Sequence, residues 1–318
     1  MLKINYSKEF NRLDYYKEIS NKYFYIKSNE LLKKHIKGHS KKTITLKEIF
    51  EYFIKNGIED FDSIFKDIKF KWLIIGRFET LSKIKAKIGT SKKIKDNEAI
   101  KFIFNYSNQQ SKIIKPFFEN NLLISTCYYC NIDFINMYNK TKTKKNKFTL
   151  DHFFDKSTYP YLALSLYNFI PSCYTCNSKL KKNEEFENIS PSSTKYDFDE
   201  QVKFKIQLSE TCDDLYIKNK KDIEIDLREI YLKKYKVFIE KMFLNERYEV
   251  HKDIVFEMIQ KKELYPDSRL KELQSLTGVP YQQIKKDIFN LIDENEDLSK
   301  KPFNKLIKDI SQELGLIK

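Results

Sequence analysis

The chain is organised around a stretch that begins with Cys127-Tyr-Tyr-Cys130 and ends with Cys173-Tyr-Thr-Cys176, two Cys-x2-Cys pairs separated by 42 residues. Each pair allows two thiolates to approach one ion from a tight turn, and two pairs complete the tetrahedral four-sulfur site that structural zinc prefers. Disulfides or independent thiols are the alternatives, and a reducing cytosol disfavours the disulfides. The fifth cysteine, Cys212, has no partner at such a spacing.

Polar residues with complementary chemistry lie between and just after the cysteine pairs. The sequence there reads Phe148-Thr-Leu-Asp151-His152, then Asn168-Phe-Ile-Pro171, and Asn177 directly follows the last cysteine of the second pair. Asp151 and Asn177 offer a carboxylate and an amide oxygen, which suit Mg2+ or Mn2+. His152 has an ordinary pKa near about 6.5 and is a natural base for activating water. A base and a hard cation are what phosphodiester hydrolysis requires.

The order of these elements resembles the zinc-containing HNH endonucleases of the ββα-metal fold, over about 60 of the 318 residues. The resemblance implies an α+β fold: a mostly helical protein with a central zinc-stapled ββα-metal (HNH) nuclease module. It also implies that Asn168 supports the catalytic His152 and that Asp151 and Asn177 hold the catalytic metal. Many members carry a second histidine where this chain has Asn177, which makes it the His-Asn-Asn variant. Asn177 as a simple helix cap is the alternative.

By this resemblance the chain is expected to be an endonuclease that hydrolyses DNA with one catalytic metal ion and His152 as the general base. A catalytically inactive, zinc-stabilised nucleic-acid-binding module is the alternative. The chain is also similar to the HNH subunits of ATPase-linked bacterial antiphage systems such as Septu, which implies a role in antiviral defence and an ATPase partner. One such site cuts one strand, so a double-strand break would need self-association or a partner.

The positive charge is concentrated in the N-terminal third. The chain has a formal net charge of +14, which is typical of proteins that bind nucleic acid, although a chain encoded by AT-rich DNA would also be rich in lysine. Residues 1–126 contain 26 basic and 14 acidic side chains, residues 127–195 contain 10 and 6, and residues 196–318 contain 23 and 25. We therefore expect three domains: a basic helical DNA-facing domain, the zinc-bound nuclease module, and short strands followed by a helical domain for partner docking.

Four lysines near the candidate site are expected to contact flanking phosphates, although lysines on a solvated surface need no such role. They are Lys156, Lys179, Lys181 and Lys182. No stretch approaches the roughly 18 uncharged apolar residues of a membrane helix, and the N-terminus lacks the apolar region of a signal peptide. We therefore expect a soluble, cytoplasmic protein that does not associate with membranes.

Local patterns predict the secondary structure outside the module. Apolar residues at three-to-four spacing predict helices over most of 1–126, with loops at 38–43 and 89–97. Alternating residues predict a strand at 202–208 that pairs with 223–227. One or two long helices are expected over 228–263, and Pro266 and Pro280 mark further helix starts.

Overall fold

The computed structural model describes residues 1–6, 11–37, 42–114, 124–135, 137–140, 143–146, 148–186, 189–210, 212, 216–231, 233–293 and 295–317. These residues form an α+β fold of many helices and two-stranded antiparallel sheets. The backbone contacts divide the chain into two compact units. The N-terminal unit consists of Lys3–Ile124 with Lys147–Tyr196, and the C-terminal unit of Met1–Leu2, Ser125–Asn146 and Asp197–Lys318. The three domains expected over 1–126, 127–195 and 196–318 stay a prediction.

The N-terminal unit contains two antiparallel strand pairs and most of the helices that the sequence predicted there. Its elements are α1 (Arg12–Ser20), β1 (Tyr23–Tyr25), α2 (Glu30–His35), β2 (Thr43–Thr45), α3 (Leu46–Lys55), α4 (Phe61–Ile64), α5 (Phe70–Ile75), α6 (Phe78–Ile88), α7 (Lys92–Asp96), α8 (Glu98–Ile103), α9 (Gln110–Ile114), β5 (Thr149–His152), β6 (Phe169–Ser172) and α10 (Thr175–Lys181), which has π-helical hydrogen bonding. Strand β1 pairs with β2, and β5 pairs with β6.

A cluster of phenylalanine rings forms the core of this unit. The Phe50 ring centroid lies 5.8 Å from that of Phe61, 5.3 Å from that of Phe65 and 5.0 Å from that of Phe70. All four side chains are buried. Helix α3 brings Phe50 into this cluster and begins with a capping box, in which Thr45 and Glu48 each hydrogen-bond the other's backbone N–H. The three-to-four spacing of apolar residues therefore marked real core-facing helices.

One of the two loops expected in this region is largely helical. Residues 92–96 form α7, because the Ser91 hydroxyl accepts a hydrogen bond from the backbone N–H of Ile94 and so caps a helix that begins at Lys92. The lysines of this segment had suggested a solvated loop, but they fit the exposed face of a short helix equally well. Residues 38–41 of the other expected loop lie outside the described residues.

The C-terminal unit combines two hairpins with a series of helices. Its elements are β3 (Met137–Lys140), β4 (Thr143–Asn146), α11 (Phe198–Gln201), β7 (Val202–Leu208), β8 (Ile223–Glu229), α12 (Lys236–Lys241), α13 (Leu244–Glu249), α14 (Lys252–Leu264), α15 (Asp267–Thr277), α16 (Tyr281–Phe289) and α17 (Asn304–Glu313). The pairing of β7 with β8, in register from Val202 opposite Glu229 to Leu208 opposite Ile223, confirms the predicted strand pair. Within the described ranges, no helix combines the length and the apolar composition that crossing a membrane requires.

The helical region expected over 228–263 is shorter and more broken than predicted. Strand β8 continues to Glu229, and three separate helices follow from Lys236 onward. The break between α12 and α13 falls at Phe243, whose φ of 49° is left-handed and cannot continue a right-handed helix. The helix starts predicted at Pro266 and Pro280 are confirmed, because α15 and α16 begin at the next residue.

Buried charges connect α17 to β7 in this unit. The Lys305 Nζ lies 2.7 Å from Asp309 Oδ2 and 3.0 Å from Asp199 Oδ1, and the side chains of Lys305 and Asp309 are fully buried. Asp309 Oδ2 also accepts a hydrogen bond from the backbone N–H of Phe204 at 2.9 Å. Burial by itself raises the pKa of Asp199, but the ammonium groups of Lys305 and Lys308 outweigh it and hold that pKa at about 2.

The Lys305–Asp309 pair gives a direct test of this packing. Lys305→Ala should lower the free energy of unfolding by about 3–5 kcal/mol, because the buried Asp309 carboxylate would lose its closest cation. The control is Lys301→Ala, an exposed lysine four residues earlier, for which we expect a change within about 0.5 kcal/mol. Urea unfolding of both variants measures the two effects. Equal losses would contradict a stabilising role for the buried pair.

Candidate functional site

The four cysteines of the two pairs form one buried cluster. Their Sγ atoms all lie within 4.8 Å of one another, and none of the five cysteines forms a disulfide. Four sulfurs at about 2.3 Å from a central zinc would be about 3.8 Å apart, so the cluster fits a tetrahedral ion. The structure thus confirms a four-cysteine cluster that could bind a metal ion such as structural zinc.

Backbone N–H groups point at the sulfurs of both pairs. The Ile132 N–H donates to Cys130 Sγ at 3.4 Å, and the Cys176 N–H donates to Cys173 Sγ at 3.4 Å. Such donors stabilise thiolates and orient metal ligands. The first pair is further fixed by Tyr248, whose hydroxyl donates to the carbonyl of Cys130 at 2.6 Å.

The zinc site can be tested by removing one ligand. Cys127→Ser should lose the bound zinc and unfold at a lower temperature, because metal binding and folding are linked in such sites. Metal analysis of the purified protein and thermal unfolding measure these two properties. Cys212→Ser is the matched control, since Cys212 lies outside the cluster, and it should keep its zinc. A Cys127→Ser variant with unchanged zinc content would contradict the assignment.

The β5–β6 hairpin and α10 hold the other candidate residues. Asp151 pairs with Ile170 and His152 pairs with Phe169 in the antiparallel register. The chain then leaves β6, passes Cys173 and enters α10, which carries Cys176 and Asn177. Two strands followed by a helix therefore bring the predicted residues into one local structure. Asp151 and His152 are 3% and 8% exposed.

The side chain of Asn168 closes the loop between the two strands. Its Oδ1 accepts a hydrogen bond from the backbone N–H of Phe154 at 2.8 Å, and its Nδ2 donates to the carbonyls of Phe154 at 3.0 Å and Leu162 at 3.2 Å. Asn168 is fully buried. The residue therefore fixes the backbone at Phe154, two residues after His152, and its support of a catalytic His152 stays a prediction.

The imidazole of His152 is held by one of its two nitrogens. Nε2 lies 3.1 Å from the carbonyl oxygen of Ala163, which can only accept, so Nε2 carries the proton. The pKa of His152 is lowered to about 4, chiefly by burial and also by the positive charges of Lys156 and Lys181, against the opposing effects of the Ala163 carbonyl and Asp155. The ring is therefore neutral near pH 7, with a lone pair on Nδ1.

Tyr106 is a member of this site that the sequence did not reveal. Its ring centroid lies 4.7 Å from that of His152 in an edge-on arrangement. The Nζ of the exposed Lys156 lies 4.8 Å from the same tyrosine ring. Tyr106 stands 46 residues before His152 in a helical region without a recognisable motif, so only the folded structure brings it here.

Lys181 has a different environment from the one expected. Its side chain is fully buried, and its Nζ lies 3.1 Å from Asp151 Oδ2 and 3.1 Å from the carbonyl of His152. The sequence had suggested Lys181 as a surface contact for a flanking phosphate. A buried ammonium engaged with a carboxylate is not available for that contact. Lys156, Lys179 and Lys182 are exposed, as the expected role requires.

Asn177 lies inside α10 rather than at its start. The helix spans Thr175–Lys181 and its N-cap is Tyr174, so Asn177 is not the capping residue that the alternative required. Its backbone N–H donates to the Cys173 carbonyl at 3.1 Å, and its side chain is half-buried. It stands four residues before Lys181, which places the two on neighbouring positions of one helix face.

Comparison of the chain with protein-family models, with curated proteins and with solved structures gives no match. The likeness to HNH endonucleases therefore rests on the sequence pattern quoted above and stays a prediction.

The role of Asn168 can be measured through stability. Asn168→Ala should lower the free energy of unfolding by about 1–3 kcal/mol, because the buried backbone groups of Phe154 and the carbonyl of Leu162 lose their hydrogen-bond partner. Asn183→Ala, at an exposed position, is the control and should have little effect. Chemical unfolding of both variants provides the comparison. An unchanged stability for Asn168→Ala would show that the loop does not depend on this amide.

Proposed function

We propose that the chain is a metal-dependent endonuclease that hydrolyses phosphodiester bonds in DNA. The observation that carries the proposal is the placement of Asp151 and His152 at the end of β5, with the imidazole anchored through Nε2 to the Ala163 carbonyl. This anchoring leaves Nδ1 as the nitrogen that can take a proton. A buried, neutral imidazole with one nitrogen fixed and a lone pair on the other is the arrangement that a general base needs.

The side chains around His152 support this role. In the proposed reaction Nδ1 of His152 accepts the proton of the attacking water, while the Nε2–H···O bond to Ala163 keeps the ring from rotating. Asn168 holds the loop that carries Ala163, through its bond to the neighbouring Leu162 carbonyl. Tyr106 packs against the ring edge and limits its movement. Orientation of this kind is a large part of catalysis by positioned groups.

Asp151 and Asn177 are the residues that would hold Mg2+ or Mn2+. Their carboxylate and amide oxygens suit hard divalent cations, which when bound supply charge stabilisation at the scissile phosphate. The carboxylate of Asp151 already forms an ion pair with a positive charge, the Lys181 ammonium, at 3.1 Å. The donor set of this chain therefore fits such an ion in ligand type and charge.

The proposed DNA partner follows from the distribution of charge, and the proposed ATPase partner from the resemblance to antiphage systems. The excess of positive charge within 1–126 and the exposed Lys156, Lys179 and Lys182 suit a DNA backbone. We further propose that the chain acts in bacterial antiphage defence with an ATPase partner, with the slightly acidic range 196–318 as the docking part. A single site of this kind cuts one strand, so self-association is proposed for double-strand cleavage.

One observation favours the second candidate function, a catalytically inactive, zinc-stabilised module that binds nucleic acid. The Lys181 ammonium contacts Asp151 at the position where a ligand to a divalent ion is proposed. If this pair persists in the presence of Mg2+, Asp151 would serve the fold and not catalysis. The two functions differ in whether bound DNA is cut.

Cleavage of supercoiled plasmid by the purified protein tests the proposal. The wild type should cut DNA with Mg2+ or Mn2+ and stop in EDTA, and His152→Ala should lose cleavage by about 100-fold or more because the general base is gone. The zinc content of this variant should not change. His251→Ala, on the N-terminal side of α14, is the control and should cut normally.

The outcomes separate the two candidate functions. Undiminished cutting by His152→Ala would contradict the assignment of the base. A wild type that binds DNA, retains zinc and cuts with neither metal would support the inactive binding module.

A further inference from the structure

A cavity in the N-terminal unit lies outside the Asp151–His152 site. It has a volume of about 520 Å3, within the range of about 300–1,000 Å3 that is usual for small-molecule sites. Its lining includes Lys3, Tyr6, Arg12, Arg77, Tyr167 and Ser192. We call it the arginine pocket. None of the residues proposed for hydrolysis lines it.

The arginine pocket concentrates a scarce residue. The chain has 59 basic side chains besides histidine, of which only five are arginines, and two of these five, Arg12 and Arg77, line this cavity. Both are exposed, and neither guanidinium has an ion pair or hydrogen bond among the residues that the structure describes. Arginine matches the geometry of a phosphate with two parallel N–H donors. Two such groups beside Lys3 favour a ligand with more than one negative charge.

The nearby acid, Glu79, bonds to the wall of the pocket and, among the described residues, forms no ion pair with Arg12 or Arg77. Glu79 accepts hydrogen bonds from the Ser193 hydroxyl at 2.9 Å and from the backbone N–H and hydroxyl of Thr194, both at 2.8 Å. Its carboxylate is therefore used to hold the 193–194 loop in place. Lys3 supports the same loop through a bond from its Nζ to the Thr194 carbonyl at 2.8 Å. The wall of the pocket is fixed by its own side chains before any ligand binds.

Aromatic rings form another part of the wall. The ring centroids of Tyr6 and Tyr167 lie 4.6 Å apart, and the Tyr6 hydroxyl is 3.0 Å from Ser192 Oγ. Tyr6 is half-buried and Tyr167 is 8% exposed. Aromatic faces beside cationic groups are the combination that binds a nucleobase and its phosphate together.

We propose that the arginine pocket binds a nucleotide, with Arg12 and Arg77 on its phosphomonoester and Tyr6 against its base. The nucleotide is either a free mononucleotide or the phosphorylated end of a DNA strand, and the recognised chemistry is the same. This binding does not rest on the proposed hydrolysis, because the two sites share no residue. A protein without nuclease activity could still use the pocket.

Calorimetric titration of the full chain in EDTA tests the pocket, with thymidine 5′-monophosphate, thymidine and inorganic phosphate as probes. Thymidine 5′-monophosphate should bind more tightly than either of its parts. Arg12→Gln and Arg77→Gln should each weaken that binding by about tenfold or more. Both side chains are exposed, so both variants should fold, and thermal unfolding checks this. Arg269→Gln, in the C-terminal unit, removes the same charge elsewhere and should bind like the wild type.

Two further variants separate this proposal from the nuclease. His152→Ala should bind thymidine 5′-monophosphate as the wild type does, whatever happens to DNA cleavage. Tyr6→Ala should reduce the preference for thymidine 5′-monophosphate over inorganic phosphate. The proposal is overturned if the wild type does not bind the nucleotide at millimolar concentration, if both arginine variants bind it undiminished, or if inorganic phosphate binds equally well.

Short oligonucleotides distinguish the two sources of the ligand. A 5′-phosphorylated thymidine tetranucleotide that binds at least as tightly as the mononucleotide, and only with Arg77 present, supports a strand end. Binding of the mononucleotide alone supports a free nucleotide. The 5′-hydroxyl tetranucleotide is the matched control, and measurable binding of it that is as tight as that of the phosphorylated oligonucleotide would overturn recognition of the phosphomonoester.

Discussion

The candidate site depends on one buried amide. Asn168 stands at the point where the chain enters β6, and its side chain makes three hydrogen bonds to backbone groups of the preceding loop. Those backbone groups are far from water, so each needs a partner inside the protein. Because the Asn168 side chain hydrogen-bonds the backbone of both Phe154 and Leu162, it holds the loop between β5 and β6 in one conformation. The carbonyl that anchors His152 belongs to Ala163, the residue after Leu162.

Charge burial gives the site its second constraint. The Asp151 carboxylate and the Lys181 ammonium are both nearly inaccessible to water, and a buried charge is costly unless it is paired. Lys181 belongs to the last turn of α10, so the pair also fastens the helix to β5. The same contact occupies the carboxylate that is proposed to bind a metal ion. A divalent ion at Asp151 would have to share the carboxylate with Lys181 or displace it.

Much of the fold was predictable because it depends on neighbours in sequence. The alternating residues of 202–208 and 223–227 predicted β7 and β8, and the prolines at 266 and 280 predicted where two helices begin. The predictions over 228–263 and 89–97 were wrong in detail. In the first case a left-handed residue, Phe243, interrupts an apolar pattern that looks continuous. In the second, a short capped helix has the composition of a loop.

The sequence by itself determined the chemical inventory of this protein: four cysteines at metal-binding spacing, an Asp-His pair, two asparagines in set positions and an excess of lysine. Each of these motifs consists of residues that are close together in the sequence, so the sequence alone is enough to recognise it. Only the tertiary structure decided that Tyr106 covers His152, that Lys181 is buried on Asp151 and that Arg12 and Arg77 line one cavity. These contacts are between residues that are distant in sequence. They follow from the packing of helices and strands against one another, which no local sequence pattern encodes.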